Sequence, residues 1–150
     1  MKSLKSIKIT LIFALTLLLF SCARQLAVSP VLPEDGTYRG GFMDEGSIQV
    51  NLEFTLENGV VTAASFRHLV GADPAYYLGV EDEPQKSVVQ QYHEALQYLV
   101  GKPLLEHLPE LHHPENIVQT EVDGYSSATI RSNKIISSIR DALNRGVYSY

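Results

Sequence analysis

The segment Asp123-Gly-Tyr-Ser-Ser-Ala-Thr129 holds the side chains with the clearest chemical use. It sets the Thr129 hydroxyl in a polar turn, just ahead of a helix expected to begin at Ser132. A helix start offers unpaired backbone N–H groups and the positive end of the macrodipole, which together favour a phosphate. Arg131 and Lys134 add cationic charge beside that seat. Their ordinary reading is solvated charge, tilted toward anion binding by their place at a helix start. Asp123 heads the turn with Gly124, which is common turn chemistry as well as a possible recognition element.

Other reactive residues point to less. His107, His112 and His113 lie in an acidic neighbourhood, but their spacing has no helical i,i+4 pair for 107 and 112, and no thiolate joins them. That argues against a metal site. His68 reads as a strand-end histidine. No Gly-x-Ser-x-Gly signature suggests a hydrolase. Cys22 is the one cysteine, so a disulfide, a thiolate cluster or a cysteine nucleophile in the mature domain is excluded.

Cys22 has a different use. Lys2, Lys5 and Lys8 precede an apolar run from Ile9 to Phe20, which ends in Leu19-Phe-Ser-Cys22. The order matches an export signal, too short for a comfortable membrane span. Its end resembles a bacterial lipobox, with Cys22 acylated to become the mature N-terminus. Residues 1–21 are then a signal peptide, 22–33 a lipidated tether with two prolines, 34–146 a domain and 147–150 a tail. Membrane lipid, reached through Cys22 on the extracytoplasmic side, is the first partner. Removal of the three lysines leaves nine basic against 17 acidic side chains, a net of −8. Such a balance argues against nucleic acid. Residues 124–150 run the other way, with Arg131, Lys134, Arg140 and Arg145 against Asp141 alone.

The elements that must position these residues are legible from period and punctuation. Glu34-Asp-Gly-Thr-Tyr-Arg-Gly-Gly41 reads as a short strand ending at its glycines. Ile48 to Leu56 alternates apolar and polar, Glu57-Asn58-Gly59 is a strong hairpin signal, and Val60 to Leu69 is the partner strand. Residues 70–84 read as irregular. Gln85 to Val100 predicts an amphipathic helix with Val88, Tyr92, Ala95, Leu96 and Leu99 on one face, stopped by Gly101-Lys-Pro103. A short turn over Leu104–Leu111 precedes His112-His113-Pro114. The last helix, Ser132 to Arg145, has Ser132 as N-cap, a stripe of Ile135, Ile136, Ile139 and Leu143, and Gly146 at its C-terminus. Tyr148 to Tyr150 reads as a frayed end. The order implies an α+β domain, an antiparallel sheet with a central hairpin and two main helices on one face.

In sequence order these pieces resemble the FMN-binding domain family, which includes the extracytoplasmic flavoprotein subunits of the sodium-pumping quinone reductase and of the Rnf complex. Asp35-Gly36-Thr37-Tyr38-Arg39-Gly40 resembles the opening D-G-x-Y-x-G, and the Ile48–Phe66 hairpin the next strand pair. Val122-Asp-Gly-Tyr-Ser-Ser-Ala-Thr-Ile-Arg-Ser132 resembles the closing V-D-x-x-S-G-A-T-x-T-S. The resemblance implies FMN as cofactor, joined by a flavin transferase through its phosphate to Thr129, with Asp123, Ser126 and Ala128 at matching positions. Tyr125, Tyr76 and Tyr77 are the candidate ring wall. It implies an electron carrier working with a partner redox protein rather than a stand-alone enzyme. Ser127 stands where the family has glycine, and His68-Leu-Val-Gly-Ala-Asp-Pro74 keeps the histidine but not the Glu-Thr-Pro-Gly of the family's H-x-E-T-P-G loop. A second reading rests on those two departures: a flavin-free structural or ligand-binding surface lipoprotein on the same fold.

Overall fold

The computed structural model describes residues 31–72, 75–121 and 130–149. The signal segment, Cys22 and the tether to residue 30 lie outside the described residues, as do 122–129. Leu32–Tyr150 forms one compact unit.

Four strands, β1 (Gly36–Asp44), β2 (Ser47–Glu57), β3 (Val60–Ala72) and β4 (Ala75–Tyr77), make an antiparallel sheet in chain order. Three α-helices follow, α1 (Gln85–Gln97), α2 (Leu104–His107) and α3 (Asn133–Arg145), with 3₁₀ turns at Leu108–His112 and Pro114–Asn116. The fold is α+β, as the sequence implies.

The central hairpin forms as expected. Glu57 pairs with Val60, and Asn58 and Gly59 take φ of 52° and 76°, the positive angles of a two-residue type I′ turn. Asp35 Oδ1 accepts the Asn58 N–H at 2.6 Å, so the opening Asp-Gly pins this turn. Val50, Leu52, Phe54 and Leu56 face the core, and Asn51, Glu53 and Thr55 face away. This alternation makes one face of the sheet apolar and the other polar.

Two expectations about the strands need correction. β1 does not stop at its glycines but runs through Gly40 and Gly41 to Asp44, then turns through Glu45 and Gly46 into β2. Gly40 is required by packing. A Cβ there would lie 2.5 Å from Ala142 N, 2.7 Å from Ala142 Cβ, and closer still to the Ser138 carbonyl oxygen. α3 therefore crosses β1 at backbone contact. The region after residue 70 is also more regular than its glycine and proline suggest: β3 continues to Ala72, and Val70 pairs with Tyr77 in β4.

Both main helices cover the same apolar face. α1 buries Val88, Val89, Tyr92, Ala95 and Leu96, and Tyr92 meets Phe66 of β3 edge-on. α3 buries Ile135, Ile136, Ile139 and Ala142 against β1 and β2. Asp141 Oδ2 accepts the Gly41 N–H at 2.8 Å and fixes α3 to the edge strand. Beyond Gly146, which takes φ of 81° at the helix C-terminus, residues 147–149 are not a loose end. Tyr148 N–H donates to Thr37 O at 2.7 Å, and its ring lies under the Arg39 guanidinium at 3.8 Å. The tail thus covers part of the exposed β1 edge. Among the described residues no helix is long and apolar enough to cross a membrane.

Candidate functional site

The start of α3 borders a cavity of about 420 Å³. Phe42 and Asp44 reach it from the end of β1, His112 and Pro114 from the 3₁₀ turns, Ile130, Arg131 and Ser132 from the approach to α3, and Asn133, Lys134 and Ser137 from α3 itself. The volume falls in the roughly 300–1,000 Å³ range of small-molecule sites. The isoleucine stripe sets this geometry. With Ile135, Ile136 and Ile139 buried in the core, Lys134 falls on the flank of the helix, where it is largely buried and lines the cavity.

Lys134 is the electrostatic centre. Its ordinary reading is solvated charge, yet only 7 % of its surface is exposed. Among the described residues no carboxylate lies within ion-pair distance of its ammonium. Burial, then the charge of Arg131, pushes its pKa below the usual lysine value, and Asp44 opposes them through space. Arg131 keeps an exposed side chain at the same cavity. Ser132 occupies the N-cap position but has helical angles (φ −57°, ψ −21°) and makes no side-chain cap. The helix starts at Asn133, and its first turn is tightened by Lys134 N–H to Arg131 O at 2.9 Å.

α1 fixes the chain on both sides of residues 122–129. Before them, Glu94 accepts from Gln119 N at 2.7 Å, Thr120 N at 3.1 Å and Thr120 Oγ1 at 2.5 Å, while Gln91 Nε2 donates to Thr120 O at 2.7 Å. Burial pushes the Glu94 pKa up, but the bonds from Thr120 and Gln119 outweigh it and hold the carboxyl below its ordinary value. After them, the Tyr92 hydroxyl accepts from Arg131 N–H at 3.2 Å and from the Tyr76 hydroxyl at 3.0 Å. Burial raises the pKa of both phenols, so both stay neutral.

Of the site residues read from the sequence, Arg131 and Lys134 meet at the cavity. Asp123, Tyr125, Ser126, Ser127, Ala128, Thr129 and the lipidation residue Cys22 lie outside the described residues. Tyr76 is not free to wall a ligand, because it is 6 % exposed and packed on Tyr92 with ring centroids 5.5 Å apart. Tyr77 is exposed, and neither tyrosine lines the cavity. Phe42 and His112 do line it, and sequence reasoning missed both. No local signal ties either to α3, although the His112-His113-Pro114 break marks where the chain turns toward it. Two neighbouring histidines pair locally: His107 with Glu110 at 3.1 Å and His113 with Glu115 at 3.2 Å. Among the described residues no group of three His, Cys, Asp or Glu side chains is disposed to hold a metal ion.

The opening Asp-Gly-Thr-Tyr segment serves the fold. Asp35 pins the hairpin turn, and Tyr38 stacks on Phe54 with centroids 5.2 Å apart and donates to Glu34 O at 2.7 Å. It lies at the end of β1 away from the cavity, since Phe42 and Asp44 close the opposite end. No protein-family model, curated protein or solved structure matches this chain.

Proposed function

We propose that this chain is a lipid-anchored extracytoplasmic flavoprotein domain, carrying FMN and relaying electrons to a partner redox protein. The observation that carries the reading is the cavity at the start of α3, where Lys134 is buried with Arg131 beside it. This cavity directly follows the Asp-x-x-Ser-x-Ala-Thr segment that resembles a flavin attachment motif.

The residues present fit the phosphate end of FMN. Lys134 would neutralise it from within, Arg131 from the mouth, and Ser132, Asn133 and Ser137 add polar groups. Phe42 and Ile130 offer apolar surface to a flavin ring. Bound FMN would supply the one- and two-electron chemistry, and the chain supplies position and charge. Glu94, Gln91 and Tyr92 hold the flanks of residues 122–129, keeping Arg131 and the α3 start in fixed relation to α1.

A flavin-free lipoprotein on the same fold is the second reading, and one observation favours it. The stretch beginning at His68, in place of the family's H-x-E-T-P-G loop, continues as strand β3 and pairs with β4. Its Gly71 accommodates the ring of Tyr76, which turns into the core.

Co-expression with a flavin transferase separates the two readings. A denaturing gel under ultraviolet light is expected to show a fluorescent band, and the intact mass to include one FMN. Thr129→Ala is expected to remove both signals while leaving the circular dichroism unchanged. A dark wild-type band with no added mass refutes covalent attachment, and colourless natively purified protein refutes FMN binding.

A further inference from the structure

We infer that the cavity at the start of α3 binds phosphate in its own right, as inorganic phosphate or a phosphomonoester, with Lys134 as the charged seat. The inference rests on the flavin reading only for the identity of the natural ligand.

Little of Lys134 is exposed, and burial disfavours its charged form unless a counter-charge compensates. Stability alone would be served better by an apolar side chain of similar length at so covered a position. Among the described residues Lys134 has no ion-pair partner, and it lines a volume large enough for a small anion. Among the described residues the charged and titratable groups around it are Arg131 on the approach to α3, Asp44 from β1 and His112 from the 3₁₀ turn. Among these residues Lys134 and Arg131 face one carboxylate, a balance that favours an anion. The α3 N-terminus, uncapped by Ser132, contributes in the same sense.

The test is thermal unfolding of the full chain against inorganic phosphate, with sodium chloride at matched ionic strength as reference. A ligand that binds only the folded state raises the midpoint with concentration. Phosphate also stabilises proteins generally by exclusion from their surface, so the informative quantity is the difference between wild type and Lys134→Met. Wild type is expected to gain stability with phosphate beyond that of Lys134→Met. The variant is expected to unfold at a higher temperature than wild type when phosphate is absent, because a buried cation has been removed. Arg131→Gln, an exposed change, is expected to weaken phosphate binding about tenfold and tests the site even if Lys134→Met fails to fold. Thr129→Ala is expected to keep the full response.

Equal phosphate responses in wild type and Lys134→Met overturn the inference. An unaltered response in Arg131→Gln, should Lys134→Met not fold, does the same. Loss of the response in Thr129→Ala also overturns it, because the seat would then depend on the threonine. A dark gel with an intact phosphate response refutes covalent flavin alone, and a fluorescent gel, with no phosphate response in protein made without the transferase, refutes this site alone.

Discussion

Removing the Tyr92 hydroxyl is the sharpest perturbation of the framework around the cavity. Tyr92 is 1 % exposed, and its oxygen accepts two bonds, from the Tyr76 hydroxyl at 3.0 Å and from Arg131 N–H at 3.2 Å. Tyr92→Phe leaves the ring packed on Phe66 but orphans both donors. A buried donor left without an acceptor costs about 1–3 kcal/mol. The Tyr76 hydroxyl makes a buried bond and belongs in the middle of that range, while the Arg131 amide is only partly buried and belongs at its lower end. The sum is about 2–4 kcal/mol, a fall in the thermal midpoint of roughly 5–15 °C. Urea unfolding followed by circular dichroism reads it as a lower midpoint at unchanged slope. Tyr76→Phe alone removes a donor and orphans nothing, so its cost should stay near 1 kcal/mol. The double variant distinguishes the mechanism by sign. With Tyr76 also phenylalanine, the orphaned hydroxyl is gone, and Tyr76→Phe/Tyr92→Phe should be more stable than Tyr92→Phe alone. A double variant less stable than the Tyr92→Phe single would refute the account, as would a Tyr92→Phe cost below about 0.5 kcal/mol.

Two more predictions bear on how α1 and α3 are held. Gly40→Ala puts a methyl group into the α3 backbone at Ala142, which cannot yield without lifting the helix; about 3 kcal/mol or more should be lost in urea unfolding, and the phosphate response should weaken with it. Glu94 has a folded pKa below its unfolded value, so its stabilising effect is fully present above the ordinary glutamate range and is lost as pH falls through the folded pKa. Glu94→Gln should therefore lower stability at neutral pH and flatten the acid limb of the stability profile, and parallel acid limbs in the two proteins would contradict the role given to this carboxylate.

Much of the scaffold was legible in the chain because its signals are local. Alternation from Ile48 to Leu56 and the Asn58-Gly59 turn specify a hairpin within a dozen residues. The apolar stripe from Ile135 to Leu143 with Gly146 behind it specifies the last helix in the same way. Where the reading missed, nonlocal contact decided. Gly40 and Gly41 look like strand terminators, but the missing Cβ at Gly40 is what lets α3 lie on the strand. Tyr148 looks like a loose end until Thr37 and Arg39 are beside it.

The same division runs through the site. The sequence by itself determined that a hydroxyl-rich segment runs into a cationic helix start, because residue order alone sets which groups surround a helix N-terminus. Only the tertiary structure decided that Lys134 is buried while Arg131 is not. It also brought Phe42, Asp44 and His112 to the same cavity and put Tyr92 and Glu94 on the flanks of residues 122–129. Burial depends on what the other elements place over a residue, and those contacts join positions dozens of residues apart, where no local pattern carries the signal.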